Sequence, residues 1–441
     1  MKFPSLRQII TSPPGRAFIA TAIAWLLAFF YCRGRYWRDP HSAFFKSETV
    51  YDQHYSKYRA SQSHAFIEHA AGDTSLGKAK GTPEICAAFV TVKRETTQYV
   101  DNAVASVLEG LTPGEREKLF LYVLFADTQT GRHPSWKQPW LEQSVDLAEG
   151  YNVTRDVLKN LIEWEEKKDW WSKGVLCVYP PVPPVETTAN VRSLYSDYLY
   201  ALEFCQSTDA PYTIMFEDDI ILAEGWMAKV RQALFQIKQG ALTNPSLQNW
   251  LYLRLFYTET ALGWEAKDDY WYGHMTFTFL LASFVSASLL IGLRFLIPRT
   301  QRHLDDPTIF ILSAITIPSF VVLAFMSGKY SLFPLRGVVT MNVHGCCTQA
   351  LLFPKEQISA LIEHLRSIGF GQTDTMIEKY ADETGKQRLA LGPQVVQHVG
   401  LESSRGNSLV NGQSTWAFWF EEYDGQRLER EHAELLKMGF G

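Results

Sequence analysis

Two apolar runs of near-bilayer length, residues 275–293 and 308–326, interrupt a chain whose remaining pattern is that of a water-facing α/β protein. At about 1.5 Å per residue, about 20 apolar residues in helix cross a hydrocarbon core of about 30 Å. The connector, residues 294–307, carries Arg294, Arg299, Arg302 and His303. Glu265, Asp268 and Asp269 precede the pair, and Tyr270, Trp271, Tyr272, Tyr330 and Phe333 flank it. Basic residues favour the cytosolic side and aromatic residues the interface, so the pattern predicts a hairpin with a cytosolic loop and both flanks luminal. A third apolar run, 17–32, follows Lys2, Arg7 and Arg16. No small-residue cleavage pattern comes after it, so it reads as an uncleaved signal anchor behind a cytosolic tail, residues 1–16.

Between the spans the period of the apolar positions changes. Residues 33–81 read as a luminal stem, polar and helix-compatible over about 47–71 and a small, polar linker over 72–81. Residues 85–92 and 119–125 are short, almost wholly apolar runs, with a helical pattern through Val107 and Leu108 between them. Strand, helix, strand at this spacing predicts a βαβ unit and a parallel sheet buried on both faces. A charged helix over 156–173, a strand over 175–179, a helix over 191–205 and a strand over 212–216 follow. After the hairpin, residues 338–341 read as a strand, and helices are expected over 355–366 and 376–381. Because two crossings return the chain to its starting side, residues 82–274 and 327–441 can form the two parts of one luminal domain.

Composition narrows the function classes. The 441 residues carry a net charge of −5, which argues against nucleic acid as a partner. A hydrophobic share of 46 % is ordinary for a soluble protein, so most of the chain faces water. The six cysteines contain no CxxC pair, which argues against a zinc site. Of these, Cys86, Cys177, Cys205, Cys346 and Cys347 fall on the luminal side, where disulfides form. Asn152-Val153-Thr154 is a glycosylation sequon.

The chemistry concentrates where strands end. In open α/β sheets, ligands bind beyond the carboxyl ends of the strands. Thr91, Lys93, Arg94 and Asp127 occupy such ends and are candidates for nucleotide contact; ordinary loop polarity is the competing reading. The strand over 212–216 runs directly into Glu217, Asp218 and Asp219. Three adjacent carboxylates repel and raise one another's pKa. A hard divalent cation, Mn²⁺ or Mg²⁺, relieves that repulsion and can act as a Lewis acid on a diphosphate. Alternation along the strand turns Glu217 and Asp219 to one face and Asp218 to the other, although the turn that follows can re-aim the last. His398, in Gln397-His398-Val399-Gly400, is a candidate further ligand.

The strand with Thr91-Val92-Lys93-Arg94-Glu95, the Asp197-Tyr198 helix with Arg192, Glu217-Asp218-Asp219, and Gln397-His398-Val399-Gly400 followed by Ser403-Ser404 resemble GT-A glycosyltransferases. With the internal hairpin and the N-terminal anchor, residues 40–441 resemble the post-GPI-attachment GalNAc-transferase family. The resemblance implies a GT-A-type domain split by a transmembrane hairpin. It also implies a Golgi multi-pass enzyme moving N-acetylgalactosamine from UDP-GalNAc to the first mannose of the GPI glycan on proteins, with inversion. It further implies donor contacts at Thr91, Lys93, Arg94, Asp127, Arg192 and Asp197, and Mn²⁺ or Mg²⁺ at Asp219, Asp218, Glu217 and His398. Inversion calls for a general base. Asp374, at the start of a helix, is the candidate, with helix capping as its other reading, and Glu217 is a second candidate. Glu421 and Glu422, beside Trp416 and Trp419, are candidates for acceptor contact or for a packed C-terminal segment. Two other functions fit the same residues: transfer of galactose or GlcNAc from another UDP-sugar onto N-glycans, and non-catalytic glycan binding.

Overall fold

The computed structural model describes residues 11–70, 77–126, 130–151, 186–244, 247–264, 270–341, 348–369, 371–400 and 415–441. The expected helix over 156–173, the strand over 175–179 and the Asn152 sequon lie outside them. The chain forms two compact units. One comprises Gln53–Thr258 and Leu335–Gly441; the other comprises Met1–Asp52 and Glu259–Pro334.

The larger unit is a mixed α/β layer structure. Its strands are β1 (Ile85–Thr91), β2 (Leu119–Phe125), β3 (Leu147–Gly150), β4 (Tyr212–Glu217), β5 (Ile220–Leu222), β6 (Trp250–Arg254), β7 (Gly337–Thr340), β8 (Ala350–Pro354), β9 (Gln387–Gly392) and β10 (Val396–His398). Eight of them form one sheet in the order β3-β2-β1-β4-β8-β6-β9-β7, and β10 pairs with β5. The first four in that order are mutually parallel. β8 runs antiparallel to both of its neighbours, and β6 is parallel to β9. Register puts Thr91 opposite Phe125, Val90 opposite Glu217, Phe216 opposite Ala350, and Arg254 opposite Leu351 and Ala390. These residues therefore share one rim of the sheet.

Period-2 alternation explains the layering. Ala87 and Phe89 face a core with Leu121, Phe216 and Leu352, closed by the helices Tyr55–Ala70, Val100–Leu108 and Trp226–Ala241. Cys86 and Ala88 face the opposite core with Tyr122, Met215 and Phe353, closed by the helices Glu186–Ser207, Lys355–Ile368 and Thr373–Thr384. A disulfide joins Cys86 of β1 to Cys205 of the helix behind it.

A buried charge cluster makes the helix Tyr55–Ala70 part of this unit. Arg59 is fully buried; it pairs with Glu109 and, at 3.3 Å, with Glu224, and donates to the Leu222 carbonyl at 3.0 Å. His432, from the C-terminal helix Gly425–Lys437, bridges Glu224 (Nδ1, 2.8 Å) and Glu115 (Nε2, 3.1 Å). Burying an arginine is costly unless carboxylates and carbonyls surround it, and this surround welds four segments of the chain together. Glu421 does the same at the other end of the helix. Its carboxylate accepts from the backbone N–H groups of His54 (2.8 Å) and Ser56 (3.1 Å) and from the Ser56 hydroxyl (2.5 Å). Glu421 therefore caps the helix N-terminus and belongs to a packed C-terminal segment.

Among the described residues the smaller unit contains three helices long and apolar enough to cross a membrane: Pro13–Arg35, Met275–Leu296 and Asp306–Met326. The N-terminal helix packs on the third. Thr21 Oγ1 lies 2.7 Å from Thr316 Oγ1, and the Trp25 indole donates to the Ser319 carbonyl at 3.1 Å. The segment Ile311–Thr316 is π-helical, directly ahead of Pro318. Proline lacks an N–H, so the preceding turn must find other partners; Thr316 Oγ1 returns to the Ile311 carbonyl at 3.2 Å.

Candidate functional site

β4 ends at Glu217, and Asp218 and Asp219 form the bend that leads into β5. The bend sets the three carboxylates differently from strict alternation. Glu217 accepts from Thr348 Oγ1 at 2.6 Å, whereas Asp218 and Asp219 both turn to Arg94. Leaving the extended conformation after Glu217 is what re-aims Asp219 to the side of Asp218.

Arg94 comes from the segment after β1. Its backbone N–H donates to Gln98 Oε1 at 3.1 Å, the Gln98 amide donates to its carbonyl at 2.6 Å, and its guanidinium lies 5.1 Å from the Tyr99 ring. The guanidinium contacts Asp218 Oδ1 and sits 3.1 Å from Asp219 Oδ2. Thr91, the last residue of β1, donates from Oγ1 to Asp218 Oδ2 at 2.7 Å. Lys93, between them, is exposed.

The second part of the unit arrives through β10. Antiparallel pairing sets His398 opposite Ile220, and the Val399 N–H donates to the Asp219 carbonyl at 2.8 Å. His398 Nε2 then lies 3.4 Å from Asp219 Oδ2, with Nδ1 3.0 Å from Thr415 Oγ1. Two residues on opposite sides of the membrane-type hairpin in sequence are thus neighbours. Gly400 is required by the same closeness: a Cβ there would lie 2.4 Å from Asp219 Oδ2. Gln397 anchors the turn, exchanging hydrogen bonds with the Ala417 backbone at 2.9 Å in both directions.

Electrostatics follow from burial and pairing. Burial works against ionising Asp219, but His398 and Arg94 outweigh it and hold the carboxyl well below its usual range. Burial, only partly countered by Arg94, raises Asp218. His398 loses hydration too, yet the Asp219 carboxylate lifts its pKa above the ordinary imidazole value. Arg94 pays the same burial cost, and the two aspartates raise its pKa and keep it cationic.

The remaining candidates come from other elements. Asp197 is buried in the helix Glu186–Ser207 and takes a hydrogen bond from the Tyr151 hydroxyl; burial raises its pKa strongly. Arg192 lies on the same helix. Asp127 falls outside the described residues. Asp374 is in the first turn of the helix Thr373–Thr384, where its Oδ1 accepts from the Thr375 N–H at 2.7 Å. Topology sets that turn at the rim of the acidic cluster. β8 starts at this rim, and Lys355, at the start of the next helix, is bonded to Pro211 at the far side (2.9 Å). The helix Lys355–Ile368, about 21 Å long, then returns to the rim before residue 373. Glu378, one turn on from Asp374, ties this helix to Arg254 (2.8 Å) and Arg388 (2.6 Å) of the sheet.

One residue escaped the sequence reading. His133 is buried beside Thr91, with Nε2 3.3 Å from Thr91 Oγ1. It sits in a short polar stretch after β2 with no run or motif around it, so no sequence signal marks it.

The residues fit a hard cation in part. Asp219 Oδ1 is buried without a hydrogen-bond partner, and a carboxylate oxygen beside an imidazole nitrogen suits Mn²⁺ or Mg²⁺. Among the described residues no group of three or more His, Cys, Asp or Glu side chains is gathered to hold an ion. Asp219 and His398 are the residues here that could hold such an ion.

A membrane-anchored α/β unit with an acidic pair and a fixed arginine at the strand ends has the makings of a group-transfer enzyme. The family model of GPI-N-acetylgalactosamine transferase PGAP4 matches residues 85–397, from the first residue of β1 to the middle of β10. The match spans well over half of the chain, which belongs to this family and is a glycosyltransferase related to GPI. None of the curated proteins matches it.

Proposed function

We propose that the larger unit is a GT-A-type domain that transfers N-acetylgalactosamine from UDP-GalNAc to the first mannose of GPI anchors on proteins, in the Golgi membrane. In this reading the cytosolic N-terminus and hairpin loop leave both parts of the domain luminal. The observation that carries it is the family match over residues 85–397, which contains Arg94, Asp218 and Asp219 and ends one residue before His398.

The roles follow from charge and position. Asp219 and His398, assisted by Asp218 and Glu217, would hold Mn²⁺ or Mg²⁺. When bound, that ion supplies positive charge for the diphosphate leaving group. Arg94 supplies a fixed cation on the same side of the carboxylates, and Thr91, Lys93 and Asp197 would contact the donor; the resemblance adds Asp127 and Arg192 to that set. Inversion requires the acceptor hydroxyl oxygen to bond the anomeric carbon as the bond to the UDP oxygen breaks. The hydroxyl proton passes to a carboxylate. Asp374 is our candidate for that base, supported by its position at the rim, and Glu217 is the second.

Full-length protein in detergent, given a panel of UDP-sugars with Mn²⁺, with and without a GPI-linked acceptor, tests the reading through UDP release. Turnover should require UDP-GalNAc and the GPI acceptor and should stop with a chelator. Turnover on a soluble glycopeptide alone, or with no donor in the panel, refutes it.

A further inference from the structure

His133 has no place in the chemistry above, yet its contacts lead straight to it. The Ser135 N–H donates to His133 Nδ1 at 3.1 Å. A ring nitrogen that accepts carries no proton, so in the neutral imidazole the proton is on Nε2. Nε2 faces Thr91 Oγ1 at 3.3 Å. The Thr91 hydroxyl has a single proton, and Asp218 Oδ2 lies 2.7 Å away. Only one arrangement satisfies all three contacts. Ser135 donates to His133, His133 donates to Thr91, and Thr91 donates to Asp218. The ring is fixed further by its edge-on contact with Phe125, the centroids 4.9 Å apart, and by its burial.

We propose that His133 is a positioning residue for the transfer reaction: it sets the direction of the Thr91 hydroxyl and so holds the Asp218 carboxylate in its pose against Arg94. A threonine hydroxyl alone can rotate among three staggered positions. A donor on its lone-pair side removes the alternatives and leaves the proton directed at Asp218. Asp218 then presents Oδ1 to the arginine and Oδ2 to threonine in one fixed pose. Partners of this kind, one shell behind the reacting groups, change affinity or activity by about 10–100-fold when removed. The inference rests on the transferase reading only in assuming that Asp218 serves the donor side of the site.

Two near-isosteric variants separate the contacts. In His133→Gln the amide nitrogen replaces Nε2 and can still donate to Thr91. In His133→Asn the amide oxygen replaces Nδ1 and keeps the Ser135 contact but cannot reach Thr91. Both are assayed as full-length protein for UDP release from UDP-GalNAc with a GPI-linked acceptor. We expect His133→Gln within about 3-fold of the parent and His133→Asn lower by about 10–100-fold in kcat/KM for the donor, with the acceptor KM unchanged. Adding His133→Asn to Thr91→Val should cost nothing further, because His133 acts through that hydroxyl. An Asn variant as active as the Gln variant, or a fully additive double variant, overturns the proposal. An active Asp218→Asn variant would instead bring down the reading of the site on which it depends.

Discussion

Replacing His432 with glutamine removes a charge that the fold holds between two carboxylates, and the effect should depend on pH in a calculable way. Burial disfavours the charged ring, but the hydrogen bonds it donates to Glu115 and Glu224 overcome this and raise its pKa to about 9, from an ordinary value near 6.5. The folded state therefore keeps a proton that the unfolded chain releases between those values. The stabilisation is complete below pH about 6.5 and is lost as pH rises through about 9. A shift of this size corresponds to about 3.4 kcal/mol at about 1.36 kcal/mol per unit, which solvent screening reduces to about 2 kcal/mol. For a unit of this size about 2 kcal/mol moves Tm by roughly 4 °C. Tryptophan fluorescence during heating, recorded from pH 6 to 10 on parent and His432→Gln proteins in the same detergent, gives the difference directly. Carboxylates and lysines common to both cancel. The gap should be about 4 °C at pH 6 and should close above pH 9.5. A gap that stays constant across this range would show that His432 is not charged in the fold, and the account of the Glu115–His432–Glu224 bridge would fail.

Other perturbations probe other contacts. Asp219→Asn should lower UDP release by at least about 100-fold, the scale seen when a charge-stabilising group in a site is removed, with Tm within a few degrees of the parent. Gly400→Ala should cost a similar factor without unfolding, because the added methyl displaces the Asp219 carboxylate; activity near the parent's would refute the close packing. Arg59→Met leaves Glu109 and Glu224 facing each other without their cation and should destabilise by about 3–5 kcal/mol, read from denaturant unfolding. The Cys86→Ala, Cys205→Ala pair should cost about 2–5 kcal/mol by the same measurement, since the bridge spans 119 positions.

Much of the frame was legible in the sequence. The apolar runs that became β1 and β2 are buried on both faces, and such strands declare themselves by composition alone. The three spans did the same by length. The strand β6 was missed. Trp250–Arg254 is only five residues long and ends in a charged side chain whose partner, Glu378, is more than a hundred positions away. The acidic triplet was visible, but its geometry was not, because alternation stops at the bend after Glu217 and the pairing with Arg94 is tertiary. Glu421 shows the limit most clearly. Beside tryptophans it reads equally as a sugar contact or as part of a packed C-terminal segment, and the structure selects the second, its carboxylate accepting from backbone N–H groups of residues 54 and 56. No local pattern announces a helix cap supplied from the other end of the chain.

The order of strands in the sheet has a consequence for biosynthesis. β8 lies between β4 and β6, and β9 between β6 and β7, although both are made only after the two later spans. When Leu255 emerges, β4 and β6 exist but their shared neighbour does not. Roughly 95 residues, including both spans, must follow before Ala350 is made. At about 5–20 residues per second this takes about 5–20 s. During that interval two strands whose residues, Glu217 apart, end up buried wait with the edges that β8 will pair unsatisfied. The nascent chain is thus most vulnerable to misassembly while its hairpin is being inserted, and any delay in insertion lengthens that exposure.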